Sequence, residues 1–369
     1  MLKPKKPSFS ILDGPASAHP DPDEFVQAAM QWHFSEETGS AFWLSKASSL
    51  GFDPRHEVKS IGDLARFPNI VNELRDVPAE DLIPCGYKGR PDVVSVFESG
   101  GTTGAPKRVT FLADWVDREM AWMMAGCAAH GIPRDVPWLA IAPSGPHMMG
   151  DYASRLARLH GGTRFTIDMD PRWVKKLIGA GRADEVSTYT DHLVEQAASA
   201  LRTQDIGVLV TTPPILERLG RSDEIVELIN KKVRAILWGG AHMDGDTRHL
   251  LRAEVFPEVT LYGIYGNTMI LGAATERAGL AAEDPCIFDT NSPYVTFSVV
   301  GPDAMTPVAY GERGQVVMNH VSKSMLLPGN RERDQATRIQ APPGQAGDSV
   351  ADVAPLRTFD NDDVIEGVY

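Results

Sequence analysis

Ten consecutive residues, Glu98 to Lys107, read ESGGTTGAPK and pack three glycines, three hydroxyl side chains and one lysine together. Polyphosphate binding asks for that mixture, because glycines let backbone N–H groups approach oxygens, hydroxyls donate further hydrogen bonds and a lysine supplies a point charge. The order differs from the G-x-x-x-x-G-K-[ST] phosphate loop, since Pro106 precedes Lys107 and Arg108 follows it. The next residues, RVTFL, are β-branched and apolar, so the segment reads as a hairpin loop between two strands and not as the entry to a helix. A plain Gly/Thr turn has the same composition.

Holding such a loop requires a scaffold, and from Val93 onward short apolar runs alternate with helical stretches in the manner of βαβ units. Strands are expected at Val93 to Phe97, Val109 to Leu112, Trp138 to Ala142, Thr163 to Ile167, Gly207 to Thr211, Ala235 to Trp238 and Val259 to Ile264. Helices are expected between them, at Trp115 to His130, Tyr152 to His160, Asp191 to Thr203, Asp223 to Lys231 and Asp246 to Glu254. Beyond Ser292 the helical period stops, and Tyr294 to Val300 and Gln315 to Val321 alternate like antiparallel strands. The organisation is therefore a helical N-terminal segment (1–92), a βαβ region carrying the loop (93–291) and a smaller β subdomain (292–369). Leu327 to Pro355 is rich in Pro, Gly and charge and reads as a long disordered or functional loop, with RERDQATR (331–338) as its solvated part.

Composition narrows the function. With 369 residues, 43% hydrophobic and 23% charged, the chain can bury a sizeable core. Acidic residues outnumber basic ones 49 to 36, a net charge of -13, which is the wrong sign for a nucleic-acid partner. No apolar run is long enough to span a bilayer, and the basic start MLKPKKPSF leads into polar residues where a secretion signal needs an apolar stretch; the expectation is a cytoplasmic protein without a membrane partner. Cys85, Cys127 and Cys286 stand far apart without metal-ligand spacing and read as structural.

SGGTTGAPK also resembles the signature loop of the adenylate-forming superfamily, [ST]-[SG]-G-[ST]-T-G-x-P-K, at every position. Further motifs of that superfamily have counterparts in order: APSGPHMMG (142–150), VLVTTPPIL (208–216), ILWGGAHM (236–243), LYGIYGNTM (261–269), YGERGQVV (310–317) and LRTFDNDD (356–363). Upstream, GFDPRHEVKSIGDLARFPNI (51–70) is similar to the phenylacetate-CoA ligase branch. Within it the chain resembles phenazine antibiotic biosynthesis proteins that act on griseoluteic-acid-like aryl carboxylates, an impression carried mostly by RTFDNDDVIEGVY at the end.

The resemblance implies an α/β fold of two packed βαβ sheets plus a distorted β-barrel, without the small lid domain that carries a catalytic lysine in that superfamily. It implies ATP-dependent adenylation of an aryl carboxylate, pyrophosphate release, and a partner enzyme or acyl acceptor to take the product. A homodimer is common in that branch. Two rivals stay open: a binding protein without turnover, and an aryl-CoA ligase completed in trans. For the sites, it implies that Ser99, Thr102, Thr103 and Lys107, with the N–H groups of Gly100, Gly101 and Gly104, grip the β- and γ-phosphates. Tyr265 offers a face to adenine, Thr268 a hydroxyl to the α-phosphate, and Asp360 a carboxylate to the ribose. His147 faces the substrate carboxylate, and Gly239, Gly240 and Ala241 form a flat wall for an aromatic ring. Trp238 and Gly263 border the same cavity, although a core tryptophan is the plainer reading of Trp238. Lys107, Thr268 and His147 are the candidate catalytic residues. No protein metal ligand is identified: the superfamily's glutamate after Y-G-x-T, which helps hold Mg²⁺, is Met269 here, and a thioether does not serve a hard cation.

Overall fold

The computed structural model describes residues 9–87, 89–99, 105–281, 284–303 and 305–356, together with the backbone of two short strands at 358–359 and 362–363. Strand β1 (Val93–Glu98) and strand β2 (Arg108–Leu112) form an antiparallel hairpin in which Glu98 lies opposite Arg108 and Phe97 opposite Val109. Phe97 and Phe111 meet edge-on beneath it, 4.7 Å between ring centres, and anchor the hairpin in the core.

The chain then builds an eleven-stranded sheet from β3 (Trp138–Ile141), β4 (Arg164–Ile167), β5 (Val208–Thr211), β6 (Ala235–Gly239), β7 (Thr260–Asn267), β8 (Gly272–Glu276), β9 (Ile287–Asp289), β10 (Val295–Val300), β11 (Arg313–Val321), β12 (Leu326–Gln340) and β13 (Asp348–Pro355). Its order is β10-β11-β12-β13-β9-β8-β7-β6-β5-β3-β4. Strands β3 to β7 are parallel to one another, and every residue of β3, β5 and β6 is buried, as a strand packed by helices on both faces requires. The connecting helices are Ala113–Ala129, Met148–Leu159, Pro171–Gly179, Ala183–Thr203, Pro213–Leu219, Asp223–Lys232 and Gly245–Leu250. Pro171–Gly179 and Pro213–Leu219 are additional to the sequence expectation. Both begin on proline, whose fixed φ suits a first helical turn, and Asp170 caps the former by accepting from the N–H groups of Arg172 (2.9 Å) and Trp173 (3.1 Å).

The α/β class stands, but its form differs from two separate βαβ sheets. β7 is eight residues long; its first part pairs with β6 in parallel and its second part with β8 in antiparallel, from Ile264 opposite Thr275 to Asn267 opposite Gly272. The parallel half therefore runs on into an antiparallel half. There β10, β11, β12 and β13 curl until Phe297 of β10 pairs with Asp348 of β13, a partial ring that corresponds to the expected distorted barrel.

The stretch from Leu327 to Pro355 corrects the expectation of a loop. Most of it is β12 and β13, paired from Asp334 opposite Pro355 to Gln340 opposite Asp348. Its charged residues disguise a strand because many of them are partnered: Arg338 donates to Asp348 at 2.8 Å, and Arg331 to Thr337 hydrogen-bonds with β11 as well. The N-terminal segment supports this end from outside. Its helix Pro22–Phe34 is capped by Asp21, and the indoles of Trp32 and Trp43 donate to the carbonyls of Lys323 and Leu326, each at 2.9 Å. Among the described residues no helix is long and apolar enough to cross a membrane.

Candidate active site

The loops at the carboxyl ends of the parallel strands are where open α/β sheets place ligands, especially where successive connections leave a strand in opposite directions. Here β3 is that strand, flanked by β4 on one side and β5 on the other. The segment after β3 carries His147 at the start of helix Met148–Leu159. Next to it comes the mouth of the β1–β2 hairpin, because Glu98 N–H donates to the carbonyl of Pro146 at 2.8 Å. Across that mouth Ser99 N–H donates to the Lys107 carbonyl (3.0 Å), and Lys107 N–H donates to Ser99 Oγ (3.3 Å). The expected strand-loop-strand setting is thus present. Gly100, Gly101, Thr102, Thr103, Gly104 and Asp360 lie outside the described residues.

Glu98 is the hinge of the array. Its carboxylate accepts from Arg108 at 2.8 Å and from Arg172, on helix Pro171–Gly179, at 2.5 Å. Burial pushes this carboxyl upward, yet the two guanidiniums together hold it below the usual carboxylate range. His147 shares that electrostatic neighbourhood: burial first, then Arg172, pull its pKa down, against the opposing pull of Asp170, Glu98 and Asp168. A neutral imidazole beside a guanidinium can accept a hydrogen bond or leave an anion to the arginine.

Thr268 reaches the same place from the end of β7, where its Oγ1 donates to the Glu98 carbonyl at 3.4 Å. The turn that carries it is strongly braced. Asn267 Oδ1 accepts from the N–H groups of Met269 (2.6 Å) and Ile270 (3.2 Å), and Leu271 adopts a left-handed backbone with φ 55°. Behind it, the Leu271 carbonyl accepts from both Trp115 Nε1 and Tyr152 Oη, each at 2.7 Å, and His320 contacts the Ile270 carbonyl at 2.8 Å. Gly272 follows because Glu119 occupies the space of a side chain there: a Cβ would lie 2.5 Å from Glu119 Oε1. Met269 itself is 3% exposed and belongs to the core.

Tyr265, three residues before Thr268, is partly buried with its ring near Phe288 and Phe297 and its hydroxyl donating to Asp334 Oδ2 at 2.9 Å. Burial raises the pKa of both Tyr265 and Asp334, against which the Tyr265 hydrogen bond and then the charge of His242, just after Ala241, pull Asp334 down. The Gly239–Gly240–Ala241 turn starts at the end of β6, where Gly239 pairs with Ile264, the residue before Tyr265. Gly240 needs its freedom, at φ 78°, and Gly239 lies so close to β7 that a Cβ would sit 2.5 Å from the Ile264 carbonyl oxygen. Trp238 and Gly263 are opposite each other in the β6–β7 register, and the indole lies over the glycine, where a Cβ would meet Trp238 Cζ2 at 2.8 Å. At 4% exposure Trp238 is a core side chain.

2-Hydroxyisobutyryl-CoA ligase in an open conformation, in complex with 2-HIB-AMP and CoA, superposes with a TM-score of 0.64 at 16% identity, covering 93% of this chain and 76% of the ligase. The same ligase in its postadenylation state, with R3-HIB-AMP, gives 0.62 at 15% identity over 93% of this chain and 70% of the ligase. The chain has the fold of an adenylate-forming enzyme. No protein-family model and no curated protein matches the sequence.

β12 brings residues that the sequence reading missed. Glu332 Oε1 accepts from the side-chain amides of Asn267 and Asn330, while Gln315 Nε2 donates to the Glu332 carbonyl at 2.9 Å. Burial, then the neighbouring Asp334, push the Glu332 carboxyl up to about 7, with Asn267, Lys107 and Asn330 acting against them. Lys175, on the same helix as Arg172 and one turn further, is 9% exposed; burial and then Arg333 pull its pKa down to about 7. The charges of Lys107 and Arg333 thus act on Glu332 and Lys175, which puts β12 in the electrostatic neighbourhood of the hairpin mouth and of helix Pro171–Gly179. Charge content alone gave no signal of this, since a solvated loop shows the same residues. Two surface clefts lie elsewhere, one of about 430 Å³ beside Phe52 and Arg55 and one of about 410 Å³ beside His130 and Arg252.

Proposed function

We propose that this chain adenylates a carboxylic acid with ATP: a carboxylate oxygen attacks the α-phosphorus and pyrophosphate leaves in line. The observation that carries the reading is the meeting of Ser99 and Lys107 at the hairpin mouth with Thr268, through Glu98, on a sheet of adenylate-forming fold. Such a reaction needs little covalent chemistry from the protein; it needs two anions held together and the developing charge spread. Lys107 and the loop 99–104 serve the leaving phosphates and Thr268 the α-phosphate. His147, with Arg172 beside it, faces the acid. Tyr265 serves adenine and Asp360 the ribose, with Asp334 as a second acidic group at the tyrosine hydroxyl.

The acid proposed is aryl, of the phenazine type, sliding along Gly239–Gly240–Ala241, with a partner enzyme carrying the acyl group onward in antibiotic biosynthesis. The structural neighbour binds 2-HIB-AMP and CoA, which supports acyl-adenylate chemistry and makes a CoA thiol the second acceptor to test. ATP–pyrophosphate exchange across a panel of aromatic and small aliphatic acids tests the reading. Acid-dependent exchange is expected with an aromatic member. Nucleotide binding without exchange would favour the rival of a binding protein without turnover.

A further inference from the structure

A buried carboxyl on which the charge of Lys107 acts poses an electrostatic problem for a polyanion bound at the hairpin. Like charges repel, so an ionised Glu332 would oppose a triphosphate drawn in by Lys107 unless a cation or a proton stood between them. The placement of Glu332 is nonetheless deliberate in its chemistry. Two amides, from Asn267 at the end of β7 and Asn330 on β12, converge on one oxygen, Oε1, while among the described residues Oε2 accepts no hydrogen bond. Asn267 is two residues from Met269 and also caps the turn bearing Thr268.

We infer that Glu332 is the carboxylate through which this chain holds the magnesium of MgATP, taking from β12 the part that position 269 cannot play. The inference rests on the adenylation reading above. Its donor chemistry fits: Mg²⁺ is a hard cation that keeps several waters and is held by one or two carboxylates plus substrate phosphates. Among the described residues no group of three or more His, Cys, Asp or Glu is placed to cage a metal, so phosphate and water oxygens complete the shell. Met269, 3% exposed, offers a buried thioether. Asn267 acts as a positioning residue, because it orients the carboxylate that meets the metal and ties it to the Thr268 turn.

Calorimetric titration of the full chain with ATP, in EDTA and in excess magnesium, tests this without turnover. For the wild type, magnesium is expected to tighten ATP by at least tenfold. Glu332→Gln should lose most of that enhancement, a ten- to hundredfold effect on metal affinity, while binding free ATP in EDTA no more weakly than the wild type, since the repelling charge is gone. Glu332→Asp, which keeps the charge, should retain part of the enhancement and guards against a folding defect in the glutamine variant. Equal magnesium enhancement in wild type and Glu332→Gln overturns the inference, as does wild-type ATP binding that is indifferent to magnesium and takes up a proton instead. If the wild type shows no ATP affinity under either condition, the adenylation reading has failed and this inference falls with it.

Discussion

Asn267 donates its side-chain amide to the carboxylate of Glu332, 65 residues further along the chain. This bond joins the end of β7, where Thr268 turns toward the β1–β2 hairpin, to strand β12 of the partial barrel. The two halves of the mixed sheet, already continuous through the β7–β8 pairing, are thereby linked again at the candidate site by side chains, as they are by the Tyr265 hydroxyl on Asp334.

The hairpin lysine is the simplest group to test. Lys107→Ala should weaken ATP and pyrophosphate far more than AMP, because in the proposed role its charge is directed at the leaving phosphates and not at the nucleoside. Competition binding with the three ligands gives the comparison, and equal losses for ATP and AMP would show that the lysine serves another part of the site.

Arg172 offers a second test, because it fastens the helix Pro171–Gly179 to Glu98 beside the loop. The pair is not deeply buried, with the arginine side chain 35% exposed, so Arg172→Ala should lower thermal stability by no more than about 1 kcal/mol. Losing the guanidinium also removes one of the two groups that hold Glu98 below the usual carboxylate range, so the Glu98 pKa should rise in the variant. The functional effect should be on the acid, as a raised KM in pyrophosphate exchange with KM for ATP changed less. A variant whose only defect is stability would detach Arg172 from the site.

Much of the scaffold was readable because its strands are apolar on both faces and its loop has an unusual composition. β3, β5 and β6 announce themselves as short apolar runs, with Thr211 at the end of β5 their one hydroxyl, and SGGTTGAPK marks the hairpin between β1 and β2. β12 was illegible for the opposite reason. Its RERD segment has polar side chains on both faces, because one face meets the site and the other lies near the surface, so neither a period of two nor an apolar run distinguishes it from a solvated loop. Glu332 and Asp334 were lost with it. His147 was visible in its motif, but its neighbours Arg172 and Glu98 were not, since their pairing spans 74 residues.

Glu119 predicts an unusual dependence of stability on pH. It is fully buried on helix Ala113–Ala129, and burial raises its carboxyl to about 7 although Ala273 N–H, at 2.8 Å, and the Asn291 amide favour the charged form. Unfolded chains ionise this group near 4.5, so its contribution is present below that pH and is lost as pH rises toward 7, by up to about 3 kcal/mol. His33 and His320 act oppositely: burial lowers them to about 4 and about 3 from 6.5, so their contribution is full above 6.5 and is lost on acidification. Glu119→Gln, which keeps an oxygen for Ala273, should therefore gain stability relative to the wild type as pH rises from 4.5 to 7. Denaturant melts at several pH values read the difference, and a constant offset would mean that Glu119 does not titrate in that window.

Met269→Glu asks whether the position that bears the metal-holding glutamate in the resembled superfamily is merely vacant or has been given a different use. A vacant position would accept the carboxylate beside the phosphates, and magnesium-dependent pyrophosphate exchange would rise by one or more powers of ten, each worth about 1.4 kcal/mol of activation free energy. The structure argues against that outcome. Met269 is 3% exposed, its neighbours Ile270 and Leu271 are fully buried, and the turn is held by Trp115, Tyr152 and His320 from behind. A glutamate there must bury a charge without a partner, take up a proton, or tear the turn from its braces, and each route costs several kcal/mol or forfeits the charge. The expected result is a lowered melting temperature, more so at high pH where the buried carboxyl is forced to ionise, together with reduced exchange because Thr268 moves with the turn. Met269→Leu, similar in volume and apolar, should cost less than about 1.5 kcal/mol and leave exchange close to wild type. A clear gain of exchange in Met269→Glu at saturating magnesium would show that residue 269 can still reach the phosphates, and would return to it the role assigned here to Glu332.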